Sequence, residues 1–130
     1  MQLWLLVAAG SALGGVSRHA VGLLIAQRAG LAFPWGTLTV NVLGSFVIGV
    51  CGALLGATNR TTAPWLREFV MIGFLGGFTT FSAFSLQTLQ LLRDGKALAA
   101  LANVVASVVI CLLAVWLGFA LAMRVTAPPG

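Results

Sequence analysis

Four stretches of this chain, residues 3–26, 37–57, 66–92 and 97–123, are each apolar over about 20 residues or more, the length a helix needs to cross a bilayer's hydrocarbon. In lipid no water is at hand for backbone N–H and C=O groups, so each run has to satisfy its own as a helix. The breaks between the runs carry turn chemistry. Arg28 through Pro34-Trp35-Gly36 closes the first and opens the second, residues 58–62 with Pro64-Trp65 make the second turn, and Arg93-Asp94-Gly95-Lys96 makes a tight third. Pro128-Pro129 ends any helix before the C-terminus. Trp4, Trp35 and Trp65 fall at the expected interfaces as an aromatic belt, whereas Trp116, inside the fourth run, reads as packed. The expectation is one all-α membrane domain over residues 1–130, in which every function lies within the bilayer.

Charge is scarce, at 7% of residues, and the net +5 comes from seven Arg and Lys against two acids. A soluble domain of this size would carry several times that charge fraction. The basic residues sit at helix ends and form no stripe, which argues for headgroup anchors and against a nucleic-acid partner. With four spans, Arg60, Arg67 and Arg124 share one side of the membrane, and Arg28, Arg93 and Lys96 share the other. Such a balance gives no preferred orientation. Either the insertion machinery resolves a weak bias, or the chain inserts both ways and two opposed copies pair about an axis in the membrane plane. Cys51 and Cys111 lie in apolar runs with no neighbouring ligand residue, so they read as reduced small hydrophobes. No nucleophile, base and orienting group can be assembled for catalysis, so no enzyme is expected.

Within the third run, residues 73–84 read GFLGGFTTFSAF, which is too rich in glycine and hydroxyls for a helix made only to cross lipid. A helix broken near its middle, lining a cavity, is one reading of this stretch. A close-packed crossing through Gly73 and Gly77 is the other. Gly10 with Gly14 and Gly52 with Gly56 have the same four-residue spacing. Four helices make a thin bundle, so glycine faces on several of them suggest that a second copy completes it.

The polar groups at membrane depth are aligned. Thr37, Asn41 and Ser45 follow one another at four-residue spacing, as do Asn103, Ser107 and Cys111. Phe81, Phe84, Ser85 and Thr88 cluster after the glycines. Cation paths and proton-coupled pumps ask for carboxylates at depth, yet Glu68 and Asp94 both lie near helix ends. The donors present, with the positive edges of phenylalanine rings, suit a small anion that accepts hydrogen bonds strongly. Arg18 either raises the potential of an anion vestibule or snorkels to the far interface, about 22 Å along the first helix.

Gly36-Thr37-Leu38, Val40-Asn41, Gly44, Phe46 and Gly49 together resemble the GTLxVNxxGxFxxG pattern of the CrcB/Fluc fluoride channels. Residues 73–85 resemble that family's GxxGGxTTFSxFS signature, and Gly14-Gly15 with Arg18 resembles its first-span pattern. The resemblance covers nearly the whole chain. It implies a dual-topology antiparallel homodimer in a bacterial inner membrane, with two pores that export fluoride passively. It also implies pore roles for Asn41, Phe81, Phe84 and Ser107, with Thr37 and Ser85 along the track. A structural Na+ held by the backbone carbonyls of Gly76 and Thr79 from both subunits is implied as well. The chain departs from the family pattern at Gln87, where many members have Glu, at Asn103 (Tyr) and at Ala83 (Thr or Ser). A small dual-topology multidrug exporter is the main alternative, but that class depends on a carboxylate inside the first helix, and this helix has none.

Overall fold

The computed structural model describes residues 2–57 and 66–126, and these are helical, with no strand among them. Helix α1 spans Gln2–Ala29 and α2 spans Trp35–Ala57. Helix α3 is wound as a π-helix over Leu66–Leu75 and continues through a short α-turn, Gly76–Phe78. Helix α4 spans Phe81–Arg93 and α5 spans Ala97–Thr126. Three stretches, Trp35–Leu55, Arg67–Arg93 and Ala97–Thr126, are long and apolar enough to cross a membrane. The chain is a multi-pass membrane protein. At 28 residues α1 is about 42 Å long, but Arg18 and His19 dilute its apolarity below that of the other three. The turn expected at residues 58–65, with Arg60 and Trp65, lies outside the described residues, as does Pro128-Pro129.

The described turns stop the helices by glycine geometry. Gly30 follows α1 with φ +79°. After α4, the Gly95 N–H donates to the Leu92 carbonyl at 3.1 Å and the Lys96 N–H to the Leu91 carbonyl at 2.9 Å, while Gly95 takes φ +73°. This is a Schellman closure, which captures carbonyls that a helix end would otherwise leave bare in the membrane boundary.

Two glycine seams hold the bundle. Along α1–α3, a Cβ added at Gly10 would run into the Phe69 carbonyl, and one at Gly14 into that of Phe74. From the other side, Gly73 would meet Val7 O at 2.9 Å and Gly77 would meet Ser11 O at 2.6 Å. The second seam joins α2 to α5, where Gly49 faces the Val115 carbonyl and Gly118 faces that of Phe46. Backbones this close gain dispersion that lipid cannot match. Gly52, expected to pair with Gly56, is not at such a seam. A Cβ on Gly52 would make only an ordinary 3.9 Å contact with Phe119, and the surroundings of Gly56 are not described.

The interior is narrow. Val40 and Asn103 are its largest fully buried side chains. The buried stripe of α5 consists of Ala100, Asn103, Ser107, Ala114, Gly118 and Ala122, all small or polar. Trp116, expected to be packed, lies off this stripe and is 67% exposed in the single chain, so the other helices of the same chain do not cover it. A stripe built for close backbone approach has no room for an indole.

Candidate functional site

The site is built around the end of α3. Helix winding stops at Phe78, and the next two residues are extended, Thr79 with φ −86° and ψ 157°, Thr80 with φ −153° and ψ 118°. Two β-branched residues after a glycine pair favour this departure. Each freed backbone group then needs a partner, because an unpaired one costs several kcal/mol in lipid. Asn41 of α2 supplies two of them. Its Nδ2 donates to the Thr80 carbonyl at 3.1 Å, and its Oδ1 accepts from the Thr80 N–H at 2.8 Å. The amide thus pairs with Thr80 as a neighbouring peptide would. Thr80 in turn caps α4, its Oγ1 accepting from the Ala83 N–H at 3.2 Å. Thr79 turns its hydroxyl back to the Leu75 carbonyl at 2.9 Å, and its methyl sits where Gly44 has no side chain.

A cavity of about 490 Å³ opens beside this break. It is lined by Asn41, Gly76, Thr79, Phe81, Phe84 and Ser107, together with Ser45, Thr80, Cys111 and apolar neighbours, and no charged side chain among the described residues borders it. Four of the six residues expected to line a pore, and both expected Na+ ligands, therefore meet at one place. The Phe81 and Phe84 rings lie 5.2 Å apart at 46°, Phe84 buried and Phe81 78% exposed at the cavity's open side. Asn41 keeps one Nδ2 hydrogen beyond the one given to Thr80. The hydroxyls of Ser45 and Ser107 have no hydrogen bond among the described residues, so both are free to donate into the cavity.

Thr37, Arg18 and Ser85 are placed elsewhere. Thr37 and Arg18 share a second cavity, of about 420 Å³, with His19 and Thr80. Thr37 also borders a third, of about 370 Å³, next to Gln87, Asp94 and Lys96. Thr80 thus borders the first two cavities and Thr37 the last two. Ser85 is exposed, and its hydroxyl donates back to the Phe81 carbonyl at 2.9 Å, so it lines none of the three. The face expected from Phe81 to Thr88 divides into two stripes: Phe81 and Ser85 point outward, while Phe84 and the half-buried Thr88 turn toward α5.

Sequence reasoning passed over Thr80 as a site residue, although it binds Asn41, caps α4 and borders two cavities. The signal was present in its position, as the second of two threonines directly before a new helix, where an N-cap belongs. The Asn103–Thr88 contact, 2.9 Å from Nδ2 to Oγ1, was also missed. It joins two residues that were placed on separate faces.

The family profile described as "CrcB-like protein, Camphor Resistance (CrcB)" matches residues 5–119. The chain belongs to the CrcB family. Among its relatives, the "Fluoride-specific ion channel FluC" of Opitutus terrae is 53% identical over 131 residues, covering 100% of this chain and 99% of that protein. The protein of the same description from Methylocella silvestris is 51% identical over 129 residues, 98% of this chain and 97% of its own length. That of Rhodospirillum rubrum is 54% identical over 117 residues, 88% and 90% of the two chains. The CrcB match spans both glycine seams, the break and the cavity.

Proposed function

We propose that this CrcB-family chain is a fluoride-selective channel that lets fluoride leave the cell down its gradient. The carrying observation is the cavity at the α3–α4 break, which offers hydrogen-bond donors and aromatic rings with no charged side chain among the described residues. The relatives described as fluoride-specific ion channels support the same reading. Fluoride is the smallest halide and the strongest acceptor, so it gains most from the spare N–H of Asn41 and the hydroxyls of Ser107 and Ser45. Aromatic edges carry partial positive charge and can take the place of lost water. A larger, softer anion gains less from such donors and loses its hydration all the same. Thr37 and Arg18, in the neighbouring cavity, serve as the approach, where one cation raises the local concentration of anions.

The working unit in this reading is an antiparallel homodimer. Two features support it: the balance of basic residues across the two sides, and the exposure of Phe81 at a cavity that a single chain leaves open. The break also suits a hard cation. Gly76 and Thr79 both line the cavity, and no hydrogen bond falls on the Thr79 carbonyl among the described residues. Carbonyls of Gly76 and Thr79 from two opposed copies would give four oxygens for Na+. Such an ion supplies a fixed positive charge that favours anions nearby.

Growth of bacteria lacking their own fluoride exporter tests the proposal. Cells that express this chain should tolerate millimolar fluoride, whereas cells expressing Phe81→Ile should not. Equal sensitivity with and without the chain, at matched membrane expression, would reject the export reading.

A further inference from the structure

α4 is the element that carries Phe81 and Phe84 to the cavity, yet the extended residues before it break its covalent stiffness with α3. A 13-residue helix entered through an extended link is free to rotate about its axis unless something fixes it. At its N-terminus the Asn41–Thr80 pair does so. Two turns further on, a second polar tether reaches it from α5. Asn103 is 1% exposed, an amide buried almost completely. Its Nδ2 donates to Thr88 Oγ1 at 2.9 Å, and that hydroxyl donates to the Phe84 carbonyl at 2.8 Å. Because the Thr88 hydrogen is directed to the carbonyl, its lone pairs are left to accept from Asn103, so the relay runs in one sense.

We infer that Asn103 and Thr88 are positioning residues for Phe84: their relay locks the rotation of α4 and so keeps the Phe84 ring turned inward on the cavity wall. Phe84 and Thr88 are four apart and share the stripe turned toward α5, while Phe81 and Ser85 share the outward one. At 100° per residue the two stripes lie about 60° apart, so a rotation of that size would turn Phe81 and Ser85 toward α5 in place of Phe84 and Thr88. Such a turn would leave Asn103 unpaired in an apolar interior, so the buried amide penalises every other rotational setting. Apolar contact alone discriminates poorly here, since α4 has leucine on both its buried and its exposed sides (Leu91 buried, Leu86, Leu89 and Leu92 exposed).

The inference rests on the fluoride-channel reading for its effect on flux, but its structural half can be read separately. 4-Fluorophenylalanine placed at position 84 reports ring position by its 19F line, and fluoride efflux from liposomes reports the consequence. Thr88→Val and Asn103→Leu preserve shape and remove the relay, while Thr88→Ser retains the hydroxyl. The expected result is a shifted or split 19F line in Thr88→Val and Asn103→Leu. Fluoride efflux in these two should fall about tenfold, the scale of one lost buried hydrogen bond. Thr88→Ser should restore both readouts, and the Asn103→Leu/Thr88→Val double variant should be no worse than either alone. An unchanged 19F line in both removing variants overturns the inference, whether or not flux falls. If the unaltered chain releases no fluoride, the channel reading fails, while the 19F line still decides the relay.

Discussion

The glycine seams and the α4 tethers hold the same bundle by opposite means. Along α1–α3 and α2–α5 the backbones touch because side chains are missing, and Gly14 and Gly49 each face a carbonyl that admits no Cβ. Around α4 the contacts that fix position are hydrogen bonds, from Asn41 to Thr80 and from Asn103 through Thr88 to Phe84. The difference follows from the task of each region. A frame in lipid is made rigid most cheaply by close approach, because apolar burial drives little association there. A cavity wall must instead expose donors and rings, so it cannot be closed by glycine and is held by a few directional bonds from behind. A chain built this way should be intolerant of added volume at the seams and intolerant of lost polarity at α4.

The largest effect expected is at the seam. Gly14→Ala places a Cβ on the Phe74 carbonyl and should cost about 3 kcal/mol or prevent recovery of folded protein. Gly15→Ala, one residue along the same helix, meets nothing within 4 Å and should stabilise by about 0.5 kcal/mol. Thermal unfolding in detergent compares the two, and equal behaviour would dissolve the contrast between seam and surface. Next comes the break. Asn41→Leu strips partners from both the N–H and the carbonyl of Thr80 and should cost about 2–3 kcal/mol, with fluoride flux abolished. A stable Asn41→Leu protein with normal flux would show that the break supports itself. Thr80→Val removes the cap on Ala83 N and should cost about 1 kcal/mol, with Thr80→Ser close to the unaltered chain. The smallest effect belongs to the turn after α4. The Asp94–Lys96 pair, 3.6 Å apart and more than half exposed on both sides, should contribute less than about 0.5 kcal/mol when probed by Lys96→Met.

Much of this frame was legible in the sequence, because lipid permits few solutions. The four helical runs and the glycine turn at residues 93–96 follow from residues whose chemistry has few other uses, while the glycines of residues 73–77 were open to a break or a close-packed crossing, and the chain has both. The α1–α3 seam was readable from Gly10, Gly14, Gly73 and Gly77, and the inward face of Asn103 and Ser107 from their spacing. What was hidden lies in rotation and partnership. A helix apolar on all sides has no amphipathic signal to orient it, so Gly52 was expected at a seam while Gly49 and Gly118, which form one, were not. Phe81 and Phe84 look equivalent in sequence, and only the seating of α4 against α5, with the Asn103–Thr88 bond, leaves one ring buried and the other exposed. The Asn41–Thr80 pair joins residues 39 apart, and no local pattern specifies that an amide will substitute for a missing strand of backbone bonds. The π-winding of α3 leaves no mark in its composition that we can identify.

The central claim is that the uncharged cavity at the α3–α4 break passes fluoride and refuses larger halides. Its most direct test is anion efflux from liposomes holding the purified chain, with an ionophore for K+ to release the voltage and electrodes for fluoride and chloride. Fluoride should leave rapidly, chloride should be retained, and the fluoride flux should be lost in Phe81→Ile. Comparable leak of both ions, or fluoride retained by well-folded protein, would contradict it.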